Sequence, residues 1–96
     1  MKLYIPKGRR GEIYRYLLRK AIERGELVIT RKDIEELTNN KRRVDTILML
    51  LRIENPPLIG KSRPKLYDVA IELKAYANMN GDLTEISLEE VSKLLE

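Results

Sequence analysis

Lys41, Arg42 and Arg43 stand in a row, and Thr46 and Met49 follow them at helical spacing. Arginine presents a planar fork of donors that matches the paired acceptors of guanine, while threonine offers a hydroxyl and a methyl. Such a set suits recognition of a base edge rather than bond making. The chain has no His and no Cys, which removes the commonest proton shuttle and metal ligand, thiolate chemistry and disulfides. Catalysis would then need a carboxylate or lysine constellation. The acidic pairs Glu35-Glu36 and Glu89-Glu90 are each adjacent in sequence. Adjacent helical residues point about 100° apart, so neither pair can share a substrate as a dyad. No glycine-rich phosphate loop or metal-ligand spacing occurs. The chain is expected not to be an enzyme and to need no cofactor.

The stretch that must position these residues runs from Thr30 to Arg52, TRKDIEELTNNKRRVDTILMLLR. It reads as two helices joined by a tight turn. Thr30 followed by Asp33 is a capping box with the shorter acid, and Ile34 and Leu37 give the first helix a short apolar stripe. Thr38-Asn39-Asn40 interrupts it, because these side chains bond nearby backbone and favour turns and N-caps. In the second helix, over about 41–53, Val44, Ile47, Leu48 and Leu51 fall at i, i+3, i+4 and i+7, one face of a helix. At about 100° per residue, Arg42, Thr46 and Met49 lie opposite that face, with Arg43 and Asp45 on its flanks. Cations in the first turn oppose the helix dipole, where a purely structural role would favour Asp or Glu. That conflict points to function.

Ninety-six residues make one domain with a modest core. The net charge of +4 conceals a division: residues 1–65 hold 17 Lys/Arg against 8 Asp/Glu, and residues 66–96 hold 2 against 7. The balance is therefore +9 and −5, a basic face backed by an acidic flank. No apolar run approaches the ~20 residues of a membrane-spanning helix, and MKLYIPKGRR lacks the apolar core of a signal peptide. A cytoplasmic protein without a membrane partner is expected.

Residues 1–10, with Lys2, Lys7, Arg9 and Arg10 around Pro6 and Gly8, read as a short basic arm in which Leu3 and Ile5 can tuck against the domain. From Gly11 to Arg24 a helix places Ile13, Tyr14, Leu17, Leu18 and Ala21 on a broad apolar face, with Gly25 past its end. Tyr14 is expected in the core. Leu27-Val28-Ile29 is a short strand. After the pair of helices, Asn55-Pro56-Pro57 forces a stop. Two runs around Ser62-Arg63-Pro64, over 58–61 and 65–69, read as a β-hairpin with a basic tip at Lys61, Arg63 and Lys65. Residues 69–79 admit a helix or an alternating strand turning at Asn80-Gly81. The helix propensity of Ala, Glu, Leu and Lys favours the helix. Ser87 and Glu90 cap a last helix bearing Leu88, Val91, Leu94 and Leu95.

Helix, short strand, helix, turn, helix, hairpin: over residues 11–69 this order resembles the winged helix-turn-helix family. The resemblance implies an α+β fold, here with a basic arm over 1–10 and a C-terminal helical extension over 70–96. It implies a sequence-specific double-stranded DNA-binding protein acting as a transcriptional regulator. The third helix would enter the major groove and the wing, residues 58–69, would follow the backbone or minor groove. Carried over, Arg42, Arg43, Asp45, Thr46 and Met49 form the recognition face, with Asn40 and Lys41 at its start. Lys61, Arg63 and Lys65 form the wing, and Arg9 and Arg10 of the arm reach phosphates. In size and Lys/Ile/Glu-rich composition the chain is similar to small regulators of archaea, their viruses and plasmids.

Two uses stay open for the tail, a homodimer contact through residues 70–96 or a cover for its own core. A second class of function also stays open, a winged-helix module that meets a protein, which exposed Met49 and Leu50 would favour.

Overall fold

The computed structural model describes residues 2–62, 70–79, 82–85 and 87–95. Over these residues the architecture is α+β, with four helices and two three-stranded antiparallel sheets.

Strand β1 (Lys2–Leu3) opens the chain and pairs antiparallel with a strand near the other end of the sequence, Lys2 opposite Asn78 and Leu3 opposite Ala77. Leu3 is buried and Ile5 packs against the core, so the N-terminal segment tucks against the domain through these two residues. It crosses the first helix at Gly11, where a Cβ would fall 1.9 Å from the Pro6 carbonyl oxygen; that approach requires glycine. Helix α1 (Arg9–Arg24) begins two residues before the expected Gly11, because the Gly8 carbonyl accepts the Glu12 N–H at 3.2 Å. Arg9 and Arg10 are thereby helical. Tyr14, Leu17, Leu18 and Ala21 are buried as the apolar spacing predicts. The helix ends on Gly25 at φ 87°, a left-handed C-cap whose N–H reaches the Ala21 and Ile22 carbonyls.

Strand β2 (Val28–Thr30) leads directly into α2 (Arg31–Glu35). The Asp33 N–H donates to Thr30 Oγ1 at 3.3 Å, and the Thr30 N–H donates to Asp33 Oδ2 at 2.9 Å, completing the capping box. Residues 36–40 turn the chain into α3 (Lys41–Ile53), where the Asn40 side chain accepts the Arg42 N–H at 3.0 Å. Val44, Ile47, Leu48 and Leu51 are buried, the stripe read from the sequence.

Strands β3 (Ile59–Ser62) and β4 (Ala70–Leu73) pair antiparallel with an irregularity between Ile59 and Ser62. The second arm of this hairpin is thus at 70–73; the run 65–69 expected for it lies outside the described residues. Strand β4 is central, flanked by β2 and β3 in the order β2-β4-β3, with Ile29 opposite Ile71. Over the described residues 70–79 the helix expected for 69–79 is therefore corrected to two strands: β4 is followed by β5 (Tyr76–Met79), which pairs with β6 (Asp82–Glu85). Ile71, Leu73 and Ala75 are buried and Glu72 is exposed, a period of two that serves a strand whose two neighbours fill its ladder. Helix propensity, worth tenths of a kcal/mol per residue, yields to that pairing. At the end of β4 the ladders on both sides are extended by Leu73 N–H to Leu27 O at 2.8 Å and Lys74 N–H to Leu58 O at 2.9 Å. Tyr14 Oη donates to the Lys74 carbonyl beside them, which satisfies a phenol with no exposed surface. Asn80 and Gly81 lie outside the described residues.

Helix α4 (Leu88–Leu95) starts as expected, with the Glu90 N–H on Ser87 Oγ at 3.3 Å. Val91 and Leu95 are buried in the hydrophobic core, and Leu94 packs against it. The apolar stripe of the tail is thus used within its own chain, against α1 and β1.

Candidate nucleic-acid interface

Helix α3 has one buried face and one open face. Lys41, Arg42, Arg43, Asp45, Thr46 and Met49 are all exposed, and the structure brings them together with the capping Asn40 on one surface. The first turn holds no acid. Among the described residues, Lys41, Arg42 and Arg43 form no ion pair. Three cations thus sit against the positive end of a helix dipole without compensation, an arrangement that costs stability and favours an incoming anion.

Other nominated residues have different surroundings. Asp45 Oδ1 lies 2.8 Å from Arg31, which also reaches Glu35 at 3.8 Å, so the acid on the flank of α3 is neutralised by the first residue of α2. Arg9 pairs with Glu12 at 3.8 Å. Arg10 lies 2.8 Å from Glu54, whose side chain is 14% exposed, at the C-terminal end of α3. That end is about 20 Å along the axis from Lys41. Arg9 and Arg10 are therefore not gathered with the cations at the start of α3, and they lie in a helix rather than an arm. Lys61 falls within β3; Arg63 and Lys65 lie outside the described residues.

Three residues escaped the sequence reading. Ile53 continues the line Arg42, Thr46, Met49 by one more turn and is 66% exposed. Its spacing was a usable signal, though its place beside Pro56-Pro57 suggested an end rather than a surface. Arg52 and Arg31 border a cleft of about 400 Å³ that Met49, Ile53 and Ile71 also line. Nothing local foretells Arg31, since the turn of α2 onto α3 brings it there.

Thr46 Oγ1 donates to the Arg42 carbonyl at 2.8 Å, so its hydroxyl proton is engaged within the helix. On α1 the Lys20 ammonium lies 5.6 Å from the Tyr16 ring centroid and 3.5 Å from Glu36 at the end of α2. Its pKa is raised above the ordinary lysine value, by Tyr16 first and then by Glu36, and it remains a cation.

Among the described residues, no cluster of three or more acidic side chains is placed to hold a metal, and no helix is long and apolar enough to cross a membrane. Comparison of the chain with protein-family models, curated proteins and solved structures finds no match.

Proposed function

We propose that this protein is a sequence-specific double-stranded DNA-binding regulator of winged helix-turn-helix type, with α3 in the major groove and the β3–β4 hairpin as the wing. The observation that carries the proposal is the exposed row Lys41-Arg42-Arg43, without an ion pair among the described residues, at the start of a helix whose opposite face is core. A structural role does not account for cations there, and a polyanion does. The order α1, β2, α2, α3, β3, β4 and the sheet order β2-β4-β3 support the fold assignment. Phosphate contacts from Lys41 and Arg43 would hold the helix in place, while Arg42 and the residues in line with it would meet base edges.

The test is binding to random duplex across a salt series. Each neutralised phosphate releases counterions and lowers the logarithm of the affinity by about 0.9 per log unit of salt. Three contacts or more give a slope of about −3 or steeper. A flat profile, or no complex at low salt, overturns the proposal.

A second reading, a winged-helix module that meets a protein through α3, is favoured by Met49 at 54% and Ile53 at 66% exposure. It predicts no salt-dependent duplex binding. Within α4, a homodimer contact would use what the helix leaves exposed, chiefly Glu89, Glu90 and Lys93, because Val91 and Leu95 are already buried.

A further inference from the structure

We propose that Thr46 and Met49 read thymine methyl groups, so that the preferred duplex carries thymines next to the base met by Arg42. The inference rests on the proposed seat of α3 in the major groove and specifies what that groove must contain.

Spacing comes first. Arg42, Thr46, Met49 and Ile53 succeed one another by four, three and four residues, a single line opposite Val44, Ile47, Leu48 and Leu51. That line begins with a guanidinium and becomes apolar within two turns. The state of Thr46 comes second. Its hydroxyl has one proton, and that proton is given to the Arg42 carbonyl at 2.8 Å. What remains for a ligand is an acceptor lone pair and the methyl. Thr46 is thereby poorly suited to the acceptors of guanine and well suited to an A·T pair, whose major-groove edge carries the adenine amino donor and the thymine methyl.

Met49 supplies the third observation. Its side chain is 54% exposed, although methionine gains from leaving water. Its flexible thioether adapts to a small apolar feature, and the C5-methyl of thymine is the apolar group that major-groove base edges display. The choice of occupant follows from charge. Lys41, Arg42 and Arg43 are exposed in the first turn of the helix that carries Met49, and they complement a polyanion rather than an apolar protein surface. A protein occupant is left as an outcome of the test.

The intact protein is used to select duplexes from a random pool. The preferred site is then remade with deoxyuridine in place of thymine, one position at a time, which removes only the methyl. One or two of these changes should each weaken binding about three- to five-fold, the effect of one buried methyl. Thr46→Val keeps the side-chain methyl and should keep the uridine penalty. The double variant Thr46→Ser with Met49→Ala should bind thymine and uridine duplexes alike, with an unchanged salt slope and thermal midpoint. Uridine duplexes that all bind like their thymine counterparts, or a full penalty that survives in the double variant, overturn the inference and leave duplex binding standing. Failure of the intact protein to bind any duplex at low salt overturns both it and the function proposed above.

Discussion

Asp33→Ala is expected to lower the thermal midpoint of folding by about 10–20 °C, the shift that ~2–3 kcal/mol produces in a domain of this size. Asp33 is 7% exposed and holds three elements at one point. Its Oδ2 accepts the Thr30 N–H at 2.9 Å, which secures the junction of β2 with α2. The same oxygen accepts from the Arg24 guanidinium at the end of α1, and Arg24 also donates to the Val28 carbonyl at 2.7 Å. Alanine removes half of the capping box and the charged partner together. The cap alone is worth about 1 kcal/mol. The ion pair adds less than a fully buried one would, since the Arg24 side chain is 35% exposed and water takes up its donors. An asparagine at this position would keep one acceptor for the Thr30 N–H, so Asp33→Asn should lose about half as much. Thermal melts followed by circular dichroism decide it. A midpoint for Asp33→Ala within about 2 °C of the parent would mean that this joint does not hold the helices.

Arg42→Ala is expected to weaken binding to the preferred duplex by about 1–3 kcal/mol and to relax preference at one or two base pairs. Arg42 lies in the line opposite the buried face, where a groove-seated helix presents side chains to base edges. Arg43 projects about 100° to one side, towards the groove wall. Arg43→Ala should therefore weaken preferred and random duplexes nearly alike and reduce the salt slope by about one. Folding should be untouched by either change. The Asn40 cap and the Thr46 bond engage the backbone N–H and carbonyl of residue 42, which alanine retains. Removing a cation from the first turn should raise the midpoint slightly, if at all. Binding curves on both duplexes, with melts, separate the two roles. An Arg42→Ala protein with its site preference intact would move the reading face elsewhere.

The parts of this fold that were legible in the sequence are those fixed by neighbours. The stripe Val44, Ile47, Leu48 and Leu51, the left-handed stop at Gly25 and the Thr30 capping box each depend on residues within two turns. What escaped depends on partners far along the chain. Strand β4 has helix-favouring residues but lies between β2 and β3, and β1 becomes a strand because β5 supplies its ladder more than 70 residues later. The candidate site divides in the same way. The open face of α3 follows from helical period alone, so Arg42, Thr46 and Met49 could be placed from spacing. Arg31 on Asp45 and Arg10 on Glu54 are tertiary pairs, and no local pattern announces them.

The proposed seat of α3 in the major groove is open to methylation interference. Dimethyl sulfate marks guanine at N7 in the major groove and adenine at N3 in the minor groove. Arg42 set against a guanine would take N7 and O6 together, so a methyl at N7 blocks the contact. Duplexes methylated at N7 of a guanine inside the selected site are expected to be depleted from the bound fraction, with any N3 effect confined to the flank under the wing. Depletion confined to N3-methyl adenines, or free binding of N7-methylated sites, would contradict the placement of α3 in the major groove.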